Sequence, residues 1–283
     1  MKLSSIVLTL LAAVYLNSGL VNAHGIAGKR YFPPTISVDD PYAAKEIHAV
    51  IGRVPIIGSN NSGAMTSKLM IGGGIEPLDG FGIALDGLYL NPNANMTPEA
   101  NGFDNLYYTV KKELTINDEH EFTFTVGVNG QIGGTGSSGI SNSTTYAPTM
   151  FYAKGFGDLP DSISLLKPLA VTGVLGYQMS TDQAQPTALN WSFTLQYSFL
   201  YLNEHVQPTG WGEPWNRLVA IVEFPLQTCM SGICNGQVIG SINPGLVWVG
   251  PEFNLSAEAV LPVNNQSGRG VGMLFQIHKY FDK

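Results

Sequence analysis

Hydrophobic and polar residues alternate with a period of two along most of this chain. In 190–201 one face carries Trp191, Phe193, Leu195, Tyr197, Phe199 and Tyr201. The other face carries Asn190, Ser192, Thr194, Gln196, Ser198 and Leu200. A strand separates these sets, whereas a helix would scatter them around its circumference. Phe122, Phe124, Val126 and Val128 repeat the pattern against Thr123, Thr125 and Asn129, and so do 253–261 and 270–281. Strands are predicted over 45–54, 67–77, 81–91, 103–114, 119–133, 145–157, 168–179, 189–202, 215–227, 236–250, 253–263 and 270–281. Connections rich in Asn, Ser, Gly and Thr alternate with mostly tighter turns such as Leu78–Gly80 and Gly250–Glu252. Two of the latter group are longer, 157–167 and 203–215, and the first is expected to hold a helical turn capped by Asp161.

An even number of alternating strands joined by long and short connections in turn is the habit of an up-and-down transmembrane barrel. A soluble sandwich alternates as well, but its solvent face usually carries Lys and Glu. Here only 12% of the 283 residues are charged, against about 25% in an ordinary globular domain. The polar faces use Ser, Thr, Asn, Gln and Gly. Aromatics, among them Tyr31, Phe32, Tyr107, Trp211, Trp215, Trp248 and Tyr280, collect where interfacial girdles would lie. The expected fold is therefore all-β, an antiparallel transmembrane barrel of about 12 strands. The net charge of −7, with no basic cluster, argues against a nucleic-acid partner.

The first 23 residues read as a cleaved signal peptide: Lys2, an apolar run over 6–14, and Val21-Asn22-Ala23 at the cleavage site. Residues 24–42 would form a periplasmic segment or a plug in the lumen, and 43–283 the barrel. Residence in the outer membrane follows, with membrane lipid and the barrel-assembly machinery as partners.

Little conventional chemistry accompanies this architecture. Neither a His-Glu-x-x-His motif nor a Gly-x-Ser-x-Gly elbow occurs, no cofactor motif is present, and no enzyme activity is expected. A surface hydrolase of the outer-membrane phospholipase kind would need its histidine on the outer wall, and His48 and His278 fall on the inward faces. Glu46, Glu76, Asp86, Glu223 and Glu258 are also expected to point inward, with Lys68 and Lys111 as counter-charges. Lys29, Arg30, Tyr31 and Phe32 are the residues through which a plug would dock. Cys229 and Cys234, close together in an exported chain, read as a disulfide. No metal centre is expected, although a processed His24 would place an α-amine beside an imidazole.

The stretches His24–Thr35, Val38–Pro41, Gly155–Pro160, Lys167–Gly173, Asn243–Trp248 and Ala257–Asn264 resemble a group of exported proteins of Gram-negative bacteria. More distantly the architecture resembles the outer-membrane barrels of the meta-pathway of phenol degradation. That resemblance implies a passive channel for small solutes, hydrophobic or aromatic ones included. A plugged binding or structural barrel is the alternative.

Overall fold

The computed structural model describes residues 25–57, 64–92, 101–137 and 142–281. The expected signal peptide, His24 and the loop stretches 58–63, 93–100 and 138–141 lie outside the described residues.

Twelve antiparallel strands close into one barrel. They are β1 (Glu46–Pro55), β2 (Met65–Leu78), β3 (Phe81–Pro92), β4 (Leu106–Asn117), β5 (Phe122–Ile132) and β6 (Thr145–Gly155). The second half comprises β7 (Leu169–Ser180), β8 (Ala188–Ser198), β9, β10 (Val238–Val249), β11 (Asn254–Pro262) and β12 (Gly272–Tyr280). Strand β9 runs Leu218–Phe224 and resumes as Leu226–Cys229 past Pro225, which lacks the N–H a continuous ladder needs. Each strand pairs with its neighbours in the chain, and β12 pairs with β1 from Tyr280↔Glu46 to Met273↔Arg53. Closure leaves no edge strand, so every strand has partners on both sides.

The alternation resolves into an outer and an inner wall. Ile51, Leu85, Met150, Leu175, Leu195 and Phe275 are exposed on the outside. Outward charges Arg53, Lys154 and Lys279 sit toward strand ends, and Lys112 lies level with the β2–β3 turn, where it donates to the Asp79 carbonyl, so each long side chain reaches polar surroundings. A closed barrel with such an apolar exterior has lipid as its solvent.

Three stretches depart from the expected pattern. Residues 199–206 leave β8 as a helical turn rather than extending it, and Tyr201 is buried instead of joining an outer aromatic row. Ser198 begins that turn by accepting the N–H of Tyr201 on its hydroxyl. The helical turn at Asp161–Leu166 is present, but Pro160 precedes it and Asp161 does not cap it. Asp161 instead meets Lys167 at 2.5 Å. Tyr31, Phe32, Tyr107 and Tyr280 also leave the girdle, since all four face the interior. Cys229 and Cys234 are joined as a disulfide.

Residues 25–45 run inside the barrel at the end where β1 begins and β12 finishes. A small hairpin pairs Ile26–Ala27 with Arg30–Tyr31. Phe32, Tyr42 and Ala27 pack on Ala153 and Ala170 of the inner wall. Ile36 packs among Val50, Val260 and Leu274. Val219, Ile221, Val247 and Val249 form a third cluster, against Tyr31 and Leu200. The hydrophobic core of this protein is thus the contact between the N-terminal segment and the inner wall.

Candidate functional site in the barrel lumen

The carboxylates on the inward faces do two different jobs. Glu223 is fully buried and accepts three backbone N–H groups, from Ile36 on Oε1 at 2.7 Å and from Ser37 and Val38 on Oε2 at 2.8 and 2.7 Å. Consecutive N–H groups converging on one carboxylate make a strong, charge-assisted anchor. Glu258 lies beside it, two strands away. Its Oε2 accepts from Asn243 Nδ2 at 3.3 Å and from the hydroxyl of Ser37 at 3.5 Å. Both carboxylates hold the N-terminal segment in place.

Two basic residues anchor the same segment from opposite sides. Arg30 donates from Nε to Glu121 Oε2 at 2.7 Å and from Nη1 to the Pro168 carbonyl at 3.0 Å. Its Nη2 reaches the Lys167 carbonyl, and its guanidinium lies 4.1 Å from the ring centroid of Tyr201. Lys111, on β4, meets Asp39 at 3.2 Å and the Asp40 carbonyl at 2.9 Å. Lys29 is exposed, and Tyr31 accepts a hydrogen bond from Asn254 Nδ2 at 2.9 Å. Lys68 shares the inward face of β2.

A second group sits where β12, β1, β2 and β3 meet. His278, His48, Gly72 and Asp86 occupy one cross-strand row. His278 Nε2 lies 3.0 Å from Glu46 Oε2, and His48 Nε2 lies 3.2 Å from Asp86 Oδ1. The two imidazole rings are nearly parallel, 7° apart with centroids at 5.9 Å. Glu76 stands apart from this group. Its Oε1 accepts the Gly80 N–H at 2.7 Å, which ties it to the β2–β3 turn.

Above and beside the N-terminal segment is a cavity of about 520 Å³. Residues 34–40 line it, together with Glu46, His48, Asp86 and His278. Amides contribute the rest of its polarity, notably Asn129, Gln131, Gln178, Asn190 and Gln227. This lining can exchange hydrogen bonds with a polar solute or water at many points, with Met70, Tyr107, Tyr108 and Ala147 adding apolar surface between them.

No protein-family model matches the chain, and no curated protein is similar enough to count as a relative. Comparison with solved structures gives a clear answer about architecture. The fold is that of outer-membrane channels. The NanC porin superimposes with a TM-score of 0.51 at 12% identity, covering 84% of this chain and all 100% of the porin. The COG4313 outer membrane channel from Pseudomonas putida F1 superimposes with a TM-score of 0.52 at 11% identity, covering 88% of this chain and 100% of the channel. Neither structure singles out the meta-pathway barrels that the architecture distantly resembles, so the likeness stands at the level of the outer-membrane barrel fold.

Sequence reasoning passed over several residues that the lumen uses. Glu121 falls on the polar face of the 121–131 alternation with nothing to mark it as an anchor, and from a left-handed backbone, φ +47°, it turns inward to Arg30. Asp39, Asp40, Ser37 and Asn243 carry no local signal, because their importance comes from contacts across the barrel. Gly72 is the exception: its place in the Gly72-Gly73-Gly74 run marks a strand stretch with no side chains to pack.

Proposed function

We propose that this protein is an outer-membrane channel for small polar solutes, narrowed from the periplasmic side by residues 25–45. The observation that supports it most is the cavity lined by amides, hydroxyls and carboxylates beside the anchored segment. A hydrophobic cargo, the one implied by the distant resemblance, would leave those polar groups without partners, which costs about 1–3 kcal/mol for each such group. Asp39, Asp40, Glu46 and Asp86 along the cavity favour cations over anions. Passage is by diffusion, and no covalent step is involved. Exterior loops, the assembly machinery and lipid are the remaining expected contacts.

The competing reading is a barrel that stays plugged. The number of buried anchors on residues 30–43 favours it. Planar-bilayer recording separates the two. The channel reading expects discrete openings with a modest cation preference, enlarged in a variant lacking residues 25–44. Absence of openings in both proteins, with each shown to be folded by a heat-dependent gel shift, would leave the plugged barrel as the answer.

A further inference from the structure

We propose that His48 and His278, with Glu46 and Asp86, form a binding site for a divalent transition-metal ion of the zinc class in the wall of the lumen. The site needs no assumption about conduction.

Strand register puts the donors together. His278 pairs with His48 across β12 and β1, His48 with Gly72 across β1 and β2, and Gly72 with Asp86 across β2 and β3. Directly opposite residues have Cβ atoms about 5 Å apart, so side chains two strands apart ordinarily have a third between them. Here the third residue is glycine. A Cβ at Gly72 would collide with Asp86 Oδ1 and lie 2.8 Å from His48 Nε2. Its absence is what lets His48 and Asp86 meet at 3.2 Å. Glu46, two residues before His48 on the same face, reaches His278 at 3.0 Å. Glu46, His48 and His278 each offer a donor atom within 4.8 Å of the others.

A tetrahedral zinc ion with bonds near 2.1 Å sets its donors roughly 3.4 Å apart. The pairs at 3.0 and 3.2 Å are close to that spacing, Glu46, His48 and His278 supply three donors that side-chain rotation can converge, and Asp86 joins them through His48. Two imidazoles and two carboxylates match the donor preference of zinc, nickel or cobalt. Soft Cu(I) would call for sulfur, and calcium or magnesium for an all-oxygen set.

His278 is the most enclosed of the three clustered donors. The residue is 3% exposed, and its Nδ1 meets no hydrogen-bond partner among the described residues. The carboxylate of Asp86 is in a similar position, since Oδ1 faces His48 without forming a hydrogen bond. With neutral imidazoles the four side chains carry two negative charges, and a divalent cation cancels them. Of the two lysines near the group, Lys111 is already held by Asp39 and Asp40, and the charge of Lys68 is shared among Glu258, Asp86 and Glu223. All four side chains line the cavity, which supplies both an entry path and room for a water ligand.

The test uses tag-free, processed protein folded in detergent and stripped with a chelator. Zn2+ is titrated against a chromophoric chelator, and Co2+ binding is followed by its visible absorption. The expected result is about one ion per chain, with a Co2+ spectrum of imidazole–carboxylate coordination. H48Q and H278Q should each weaken Zn2+ binding by about 100-fold or more, since loss of an outer-shell partner alone typically costs about 10–100-fold. G72A should also weaken it, by driving Asp86 away from His48, while retention of the heat-dependent gel shift shows that the barrel is intact. H24Q should leave the affinity unchanged. Absence of Zn2+ binding by the wild-type protein would overturn the proposal. So would binding that survives in the H48Q/H278Q double variant, since the ion would then be held elsewhere. Conductance enters neither readout, so a failed channel and a failed metal site are told apart.

Discussion

Arg30 and Glu121 meet at 2.7 Å although 91 residues separate them, and their side chains are 1% and 5% exposed. The pair fastens the hairpin of the N-terminal segment to the turn between β4 and β5. Glycine is required around it: a Cβ at Gly155 would collide with both Glu121 and Arg30. Removing one partner leaves the other charge buried and alone, which typically costs about 3–5 kcal/mol. R30M is therefore expected to free the segment, read as faster tryptic cleavage after Lys45 in folded protein. R30M/E121M, which removes both charges, should be cleaved more slowly than R30M. Equal protection in wild type and R30M would show that the pair does not hold the segment.

Glu223 is the other principal anchor. In E223Q the amide presents at most one acceptor atom to three N–H groups and turns its own NH2 toward a donor. The loss is about 1–3 kcal/mol per unsatisfied group. A cysteine placed at Ser37 should react with a water-soluble thiol reagent faster in the E223Q background than in the parent. Unchanged labelling rates would mean that the segment is held without this carboxylate.

The outer wall makes a prediction of a different kind. Leu175, near the middle of β7, points outward between Trp191 and Met150. L175R places a charge near the bilayer midplane at a cost of about 2–4 kcal/mol. Unfolding by urea in lipid vesicles should shift accordingly, whereas L175F should leave the midpoint nearly unchanged. A barrel that tolerated arginine there without loss would not have lipid at that face.

Asp158 lies in the turn after β6, outside the membrane-spanning strands. The Lys154 ammonium at 3.0 Å holds its carboxyl below the usual range, with His120 at 3.1 Å assisting. A depressed carboxyl stabilises the fold above its ordinary pKa of about 4, and that contribution disappears as pH falls through the folded value. Asp158 is about one-third exposed, so the effect is under about 1 kcal/mol. Melting curves from pH 7 to pH 3 should fall more steeply for the wild-type protein than for D158N. Parallel curves would remove Asp158 from the acid response.

Two residues show where the sequence stops being informative. Trp191 could be placed outside and Asn190 inside from alternation alone, because lipid and lumen impose opposite demands on successive positions. Ile221 carries no such contrast of its own, since Leu218–Phe224 is apolar on both faces apart from Glu223, whose charge alone gives the strand its inward sense. Its inward residues meet the N-terminal segment rather than water, so period two is lost where the barrel is filled. The same cause hides Tyr31 and Phe32, which read as interfacial aromatics and are instead docked within.

Strand number, spans and the outward or inward sense of most side chains were thus determined by the chain itself, because a membrane allows only closed backbone hydrogen bonding and an uncharged exterior. Which inward residues become neighbours was decided by closure and register. Arg30 and Glu121, Glu223 and Ser37, His48 and Asp86 across Gly72 are each set by how strands far apart in sequence align. A contact of that kind leaves no mark on local pattern, since its energy depends on where the partner lands.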